Sequence, residues 1–337
     1  MGLLIDMIAV GEGDSFLLTL DGPYGERYIL IDGGLPEAGQ KVLNYVTKWA
    51  PTGLSLVIAT HIDNDHIGGL ATVLEHATFA PGAEFALNVP PAIKEHWTPA
   101  RGTLEKYRGV TRFRGLIEAV DAVKTLSAIA NRKGLVVSDA LEGRWWSYGE
   151  VVLNVLNPTI GRLEAAWEES DLDRYIQGGW APELVSAVES VAEAPSTSAE
   201  NDSSIVIEIT NGAVPCALMA SDAGAAVLKE VTHGKAYEFL KVPHHGSKTG
   251  LDEGLVRQLR PSTAFIPVGE NQNGHPCIEI LDLLKDNGAT TYCAGKTKDC
   301  RKLCTYPGGN IYHAIGRAGR PGSPVADSSK CRNNVRA

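Results

Sequence analysis

Over the first sixty residues, apolar positions fall in short runs separated by Gly, Asp and Pro. LLIDMIAV runs into GEGDS, SFLLTL into a DGPYGE turn, and RYILIDGG follows. Such β-rich runs broken by turn residues predict hairpin-connected strands. The pattern then changes period. In PEAGQKVLNYVTKWA the apolar residues Val42, Leu43, Tyr45, Val46 and Trp49 recur at helical spacing, and the run stops before Pro51. LSLVIAT is a short buried strand that leads directly into HIDNDHIGGL. A histidine cluster is therefore expected on a loop at the carboxyl end of a core strand, where chemistry is often carried.

Residues from about 97 to 150 show helical periodicity, clearest in GLIEAVDAVKTLSAIANRKG, and end in the pair Trp145 and Trp146. VVLNVLNP reads as a strand. Gly161 to Glu200 is acidic, rich in Ala and Ser and poor in strand formers; it reads as a surface insertion expected to cover part of the site. Strand patterns resume in SIVIEIT, PCALMAS, EFLKVPHHG and STAFIPVG, and CIEILDLLKDNG is helical. After about Gly316 the composition is that of a linker. The expected organisation is one domain over residues 1–316, with insertions at about 97–150 and 161–200, and a flexible tail over 317–337. Strand-rich halves separated by helical segments predict two packed sheets with helices on their outer faces.

Composition narrows the function classes. With 337 residues, 44% hydrophobic and 21% charged, the chain can bury a sizeable core. A net charge of −9 argues against a protein that coats nucleic acid through Lys and Arg. It leaves room for an enzyme that grips phosphate through metal ions, which supply local positive charge. KYRGVTRFRG, with Lys106, Arg108, Arg112 and Arg114, is the one candidate for phosphate-backbone contacts; its alternative is a solvated helix face. No apolar run reaches the about 20 residues of a membrane span. The start lacks a basic region and a small-residue cleavage site. A cytoplasmic protein without a membrane partner is expected. Of six cysteines, Cys216 and Cys277 read as core or wall residues. Cys293, Cys300, Cys304 and Cys331 lie towards the C-terminus without a Cys-x-x-Cys pair, leaving a structural zinc site and a disulfide as alternatives.

Four segments at predicted strand ends carry candidate chemistry. THIDNDHIGG holds His61, Asp63, Asp65 and His66, ASDAG holds Asp222, KVPHHGSKTG holds His244 and His245, and VGENQNGHP holds His275. Imidazoles and carboxylates at alternating positions converge when a strand opens into a turn, and Gly68 and Gly69 let backbone pass close by. Nitrogen and oxygen ligands of this kind suit zinc, manganese or iron, and carboxylate-rich sets lean towards manganese. A lone histidine near a strand end is usually a hydrogen-bonded structural residue, and His76, His96, His233 and His313 are read that way. Asp222 alone would be a turn or cap residue. The H-x-D-x-D-H-x-G-G cluster is different, because burying two imidazoles against carboxylates without a metal gives no structural gain.

HIDNDHIGG resembles the H-x-[HD]-x-D-H signature of the metallo-β-lactamase superfamily. With KVPHHGSKTG, the later GHP, AVGEGDSFLLTL and YILIDGG, the chain is similar to the soluble hydrolase domain of ComEC-type DNA-uptake proteins and their free-standing relatives, over most of residues 3 to 315. That resemblance implies an α+β fold, a four-layer αββα sandwich with a helical and acidic insertion. It also implies two divalent metal ions, zinc or manganese. His61 and Asp63 would face the first ion, Asp65 and His66 would hold the second, and Asp222 would bridge them. His275 would complete the second ion's ligands or lie close, while His244 and His245 would bind metal or steady the leaving group. The superfamily's further histidine, expected before SIVIEIT, is replaced by ENDSS; either Asn201 or Asp202 substitutes, or the first position binds weakly. Asp32 and Gly33 would shape the pocket floor, with an ordinary turn as the alternative for Asp32.

The implied activity is metal-dependent hydrolysis by a metal-bridged hydroxide, with Asp65, His244 and His245 catalytic. Ser247 and Lys248 would serve the leaving oxygen or form a solvated turn. The preferred substrate is a phosphodiester in DNA or RNA. One alternative is a small-molecule hydrolase for a lactone, lactam, thioester or phosphoester, with Trp145, Trp146 and Trp180 lining a compact pocket. The other is a non-catalytic metal-binding regulatory module.

Overall fold

The computed structural model describes residues 2–89, 111–168, 199–295 and 310–316. The first half supplies strands β1 (Leu3–Met7), β2 (Phe16–Gly22), β3 (Gly25–Ile31), β4 (Leu54–Ala59), β5 (Phe79–Leu87) and β6 (Val136–Ser138). Between them run helices α1 (Gly39–Trp49), α2 (Asn64–Ile67), α3 (Leu70–His76) and α4 (Thr111–Arg132). The second half supplies β7 (Trp145–Tyr148), β8 (Val151–Asn157), β9 (Val206–Asn211), β10 (Val214–Met219), β11 (Phe239–Lys241), β12 (Thr263–Ile266) and β13 (Thr290–Cys293). Its helices are α5 (Ile160–Glu168), α6 (Ala199–Asp202), α7 (Ala225–Thr232), α8 (Glu253–Leu259) and α9 (Ile278–Asp286), and β14 (Ile311–Ile315) ends the described chain.

The strands form two sheets of seven, in the orders β14-β1-β2-β3-β4-β5-β6 and β13-β12-β11-β10-β9-β8-β7. Alternate side chains point to opposite faces of a strand, and here both faces of both sheets are covered. Phe16, Leu18, Ile29, Ile31 and Ile58 of the first sheet meet Leu153, Ile207, Ile209, Phe239 and Phe265 of the second. Leu17, Leu30, Val57 and Phe85 face outward onto Val42, Val46, Val73 and Leu126 of α1, α3 and α4. Leu218, Leu240 and Ile266 face outward onto Leu228, Leu255, Val256 and Leu281 of α7, α8 and α9. The result is the expected helix–sheet–sheet–helix sandwich. Its central strands read as near-continuous apolar runs because neither face is wet.

Helical periodicity does not extend to residue 150. The helix ends at Arg132, Gly134 turns the chain at a φ of 77°, and β6 and β7 follow as one edge strand of each sheet. β-branched and aromatic residues at Val136, Val137 and Trp145–Tyr148 favour that outcome. β5 carries no clear strand pattern either, because Pro81 and Gly82 interrupt it where its register against β4 shifts. Lys106, Arg108, His96, Trp180, Cys300, Cys304 and Cys331, most of the acidic insertion and the tail lie outside the described residues.

The topology decides where chemistry can occur. β3–β4–β5–β6 and β10–β11–β12–β13 pair in parallel. Their carboxyl ends open at one rim of the sandwich, the usual ligand-binding position of parallel strands.

Candidate metal centre

Each of the closest-packed polar groups leaves one of those strand ends. β3 delivers Asp32, β4 delivers Thr60 and His61 and then α2 with Asp65 and His66, β10 delivers Ser221 and Asp222, and β11 delivers His244 and His245. The β1–β2 loop adds Asp14. Asp32, Ser221, His244 and His245 all have left-handed backbones, with φ of 59°, 47°, 48° and 51°. Non-glycine residues hold that conformation at a cost and gather at functional sites. The loops interlock through backbone: the amide of Asp14 donates to Asp65 O (3.1 Å), that of Gly33 to His66 O (2.7 Å) and that of His244 to Ser221 O (3.1 Å). Gly13 is required there, since a Cβ on it would lie 2.0 Å from Asp65 O.

Two imidazoles each face two carboxylates, and Asp14, His66, Asp222 and His245 each offer a ligand atom within 4.8 Å of the other three. His66 Nε2 lies 3.8 Å from Asp65 Oδ2 and 3.5 Å from Asp222 Oδ1, while His245 Nε2 lies 3.2 Å from Asp65 Oδ2 and 3.4 Å from Asp222 Oδ2. Ligand bonds of about 2.1 Å in a tetrahedral arrangement separate neighbouring ligand atoms by about 3.4 Å. The four observed separations bracket that value. Both Nε2 atoms are buried without a hydrogen-bond partner, a state that leaves polar groups unsatisfied unless something sits between them. Their other ring nitrogens are anchored. His66 Nδ1 is 2.9 Å from Asp32 Oδ2, and His245 Nδ1 is 2.7 Å from Pro267 O. Anchoring Nδ1–H in this way presents the Nε2 lone pair, as metal-binding histidines require. The residues fit a divalent ion.

Charge points the same way. Asp14, Asp32 and Asp222 are essentially buried, Asp65 is a quarter exposed, and the one buried cation among the described residues that touches them is Lys241. Burial alone would lower the His66 and His245 imidazoles. The carboxylates outweigh it, Asp222 foremost: His66 is held well above the ordinary histidine value and His245 is pushed up to about 10. Burial would likewise raise Asp222 and Asp65, but facing imidazoles, His245 first for Asp222 and His66 first for Asp65, hold both below the usual carboxylate range. The cavity therefore demands positive charge, from protons on imidazole or from a cation.

A second group of residues lies beside the first. His61 stacks on His66 with ring centroids 4.0 Å apart, and its Nε2 is buried, unpartnered and 3.6 Å from Asp63 Oδ2. Thr60 Oγ1 gives its single proton to Asp32 (2.7 Å), so at 3.1 Å it accepts from His61 Nδ1 and leaves the Nε2 lone pair facing inward. Asn201 Nδ2 reaches within 3.5 Å of His244 Nε2. Asp202 is engaged elsewhere, accepting from the Gly224 amide at 2.9 Å. His275 is not among the converging groups; its ring centroid is 5.4 Å from that of His244 and 6.5 Å from that of His245. Burial, then the neighbouring His244 and His245, press His275 down to about 4. Burial also lowers His244.

Other expected residues fall outside the centre. Lys248 is exposed and pairs with Glu279 at 2.6 Å, and Ser247 Oγ meets Thr249 Oγ1 at 3.1 Å. Trp146 points into the inter-sheet core with Nε1 on Glu84 (3.1 Å), and Trp145, one residue earlier on the same strand, faces solvent. These two tryptophans therefore do not line one pocket. His76 and His233 are exposed on the surface, and His313 sits against Phe239 and Glu238, as structural residues. Cys216 and Cys293 are buried in the core and Cys277 precedes α9; Cys216 and Cys277 are free thiols.

Two buried groups escaped the sequence reading. Asp14 lies within 4.8 Å of ligand atoms of His66, Asp222 and His245. Lys241 bonds Asp14 Oδ2 (2.5 Å), Asp222 Oδ1 (3.2 Å) and Ser221 O (2.6 Å). The available signals were an Asp closing the GEGDS turn and a lysine inside an apolar parallel strand.

Residues 9–124 match the family model described as Metallo-beta-lactamase superfamily. The chain is 24% identical over 301 residues to ComE operon protein 3 of Bacillus subtilis (strain 168), an alignment that spans 83% of this chain and 30% of that protein. Among solved structures it is similar to Igni18, a metallo hydrolase of Ignicoccus hospitalis KIN4/I. That likeness has 14% identity and a TM-score of 0.46, over 92% of this chain and 98% of the other. It is also similar to the metallo-beta-lactamase fold protein YhfI of Bacillus subtilis, with 9% identity and a TM-score of 0.44, over 88% and 97%. The matched residues carry His61, Asp65 and His66 at the end of β4, and two sheets sandwiched between helices give the chain the αββα architecture of the metallo-β-lactamase fold.

Proposed function

We propose that this protein is a metal-dependent hydrolase acting on a phosphodiester. The observation that carries the reading is the approach of His66 and His245 to both Asp65 and Asp222, with the two imidazole Nε2 atoms buried and unpartnered. When bound there, a divalent ion, zinc or manganese, would supply Lewis acidity and bring water within reach of deprotonation at neutral pH. The chain's own groups do the rest. Asp32 and the Pro267 carbonyl hold the two imidazoles in the ligating tautomer. Asp65, the most open carboxylate of the quartet with 27% of its side chain exposed, faces the side from which water and substrate enter and accepts the proton. His61, Asp63 and His244 line the neighbouring position. His244 and His275, kept neutral by burial, offer N–H hydrogen bonds to the leaving oxygen, which takes its proton from water.

The phosphodiester assignment rests on the motif resemblance to ComEC-type hydrolase domains and on the similarity to ComE operon protein 3. One observation favours the small-molecule alternative. A cavity of about 510 Å³ between the loop before Asp14 and the loop before His275 is lined by Glu12, Glu270, Asn271, Gln272 and Asn273. Two carboxylates without a cation among these lining residues disfavour a polyanion. The deciding experiment is cleavage of single- and double-stranded DNA, RNA and a chromogenic phosphodiester by wild type and Asp65→Ala, each with manganese or zinc. Metal-dependent cleavage by wild type alone is expected, with the preferred polymer naming the substrate. Stoichiometric metal without cleavage of any of these would move the assignment to a small ester or lactone.

A further inference from the structure

We infer that Lys241 makes the metal centre asymmetric: it occupies one face of Asp14 and Asp222, so that one divalent ion is held tightly and a second only weakly. The inference rests on the metal-centre reading above and concerns what that centre can hold.

Lys241 is 1% exposed, and its three N–H donors meet three acceptors, Ser221 O, Asp14 Oδ2 and Asp222 Oδ1, at 2.6, 2.5 and 3.2 Å. The left-handed backbone of Ser221 (φ 47°) accompanies the carbonyl's place in this cradle. Asp222 faces both imidazoles, with a different oxygen toward each. Its Oδ2 lies toward His245, while its Oδ1, which lies toward His66, is already claimed by an ammonium group. An oxygen whose charge is spent on a neighbouring cation is a poorer bridge between two more cations.

The other side of the pair is poor in charge. Beyond His61 it offers the half-exposed Asp63, the carboxamide of Asn201 and His244. Among the described residues the one group of mutually close ligand atoms is Asp14, His66, Asp222 and His245, which includes both partners of Lys241. Two dications at close range repel, and shared anionic ligands normally offset that repulsion. Here a fixed positive charge inside the cluster adds to it. Lys241 is thus a positioning residue, acting through Asp14 and Asp222.

The test is titration of metal-free protein with Mn²⁺, followed by calorimetry and by electron paramagnetic resonance. Wild type is expected to take one ion tightly, with the spectrum of an isolated Mn²⁺ at one equivalent, and a second about 10–100-fold more weakly, the range by which outer ligand partners change affinity. In Lys241→Gln and Lys241→Met the second constant should rise towards the first, and a coupled-pair spectrum should appear below two equivalents. Two equal constants in wild type would overturn the inference, as would an unchanged gap in folded variants or loss of both ions. Should neither variant fold, Asp14→Asn leaves Asp222 as the one carboxylate paired with the lysine and should widen the gap severalfold; an unchanged gap would overturn the inference. Wild type that binds no ion would instead refute the metal-centre reading itself.

Discussion

Replacing Asp32 by Asn isolates the orientation of His66 from nearly everything else. Asp32 accepts from the Thr60 amide (2.8 Å), the Thr60 hydroxyl (2.7 Å) and His66 Nδ1 (2.9 Å), with none of its surface exposed. Asparagine has the same shape and tolerates the left-handed backbone that Asp32 adopts at a φ of 59°. It keeps an acceptor for the Thr60 amide, but its other terminus becomes an NH₂ group. The Thr60 hydroxyl can turn to accept from it, and then directs its proton at His61 Nδ1. His66 Nδ1–H cannot adapt, so the proton moves to Nε2, the atom that faces Asp65 and Asp222. Metal affinity should then fall about 10–100-fold, which corresponds to ~1.4–2.8 kcal/mol. Asp32→Ala goes further, stranding three buried donors at about 1–3 kcal/mol each before relaxation; it should lower the melting temperature of the metal-free protein as well. Calorimetric titration with Zn²⁺ or Mn²⁺, together with thermal melts of the metal-free forms, separates the two effects. An Asp32→Asn protein that binds metal within twofold of wild type would refute the claim that Asp32 sets the ligating tautomer.

Further outcomes follow from the geometry. Gly13→Ala must accommodate a Cβ that would lie 2.0 Å from a backbone oxygen at a φ of 109°. It should cost more than about 2 kcal/mol in urea unfolding and weaken metal binding by displacing Asp65; stability near wild type would contradict the packing described. Asp252 caps α8 by accepting from the Leu255 amide at 3.0 Å, so Asp252→Ala should cost about 1 kcal/mol with metal affinity unchanged. Slight burial would raise the Asp252 carboxyl, but Lys229 and the cap bonds hold it below the ordinary 3.8. The stability it contributes is therefore complete above that value and disappears as pH falls through the lower folded one, so the gap between wild type and variant should close in acid. For His275 the direction is also a loss in acid. Its folded value of about 4 lies below the ordinary 6.5, so the unfolded chain takes up the proton first, and stability should decline as pH falls from 6.5 towards 4. Urea midpoints of metal-free protein across that range should fall less steeply in His275→Asn, and equal slopes would show that His275 titrates normally in the fold.

Much of this protein was determined by local pattern. The alternation in RYILIDGG and the apolar run LSLVIAT became β3 and β4, the spacing of Val42, Val46 and Trp49 became α1, and His61 to His66 stand at the end of β4 where the pattern placed them. Such features depend on neighbours within a few residues, and a strand end beside a polar cluster is visible without knowing what it faces. What lies across the rim is different. Which of His244, His245 and His275 approaches His66 was open in the sequence, because three nearby histidines have equal ligand chemistry. The left-handed turn at His244 and His245 and the bond from His245 Nδ1 to Pro267 decide it, bringing His245 against Asp65 and Asp222 while His275 stands further off. Asp14 and Lys241 are 227 positions apart in the numbering, from residue 14 to residue 241, yet touch at 2.5 Å. In sequence one is a turn aspartate and the other a strand lysine, each with an ordinary explanation. Only the packing of two sheets removes both from water, and it is that shared desolvation that turns them into one electrostatic unit with Asp222.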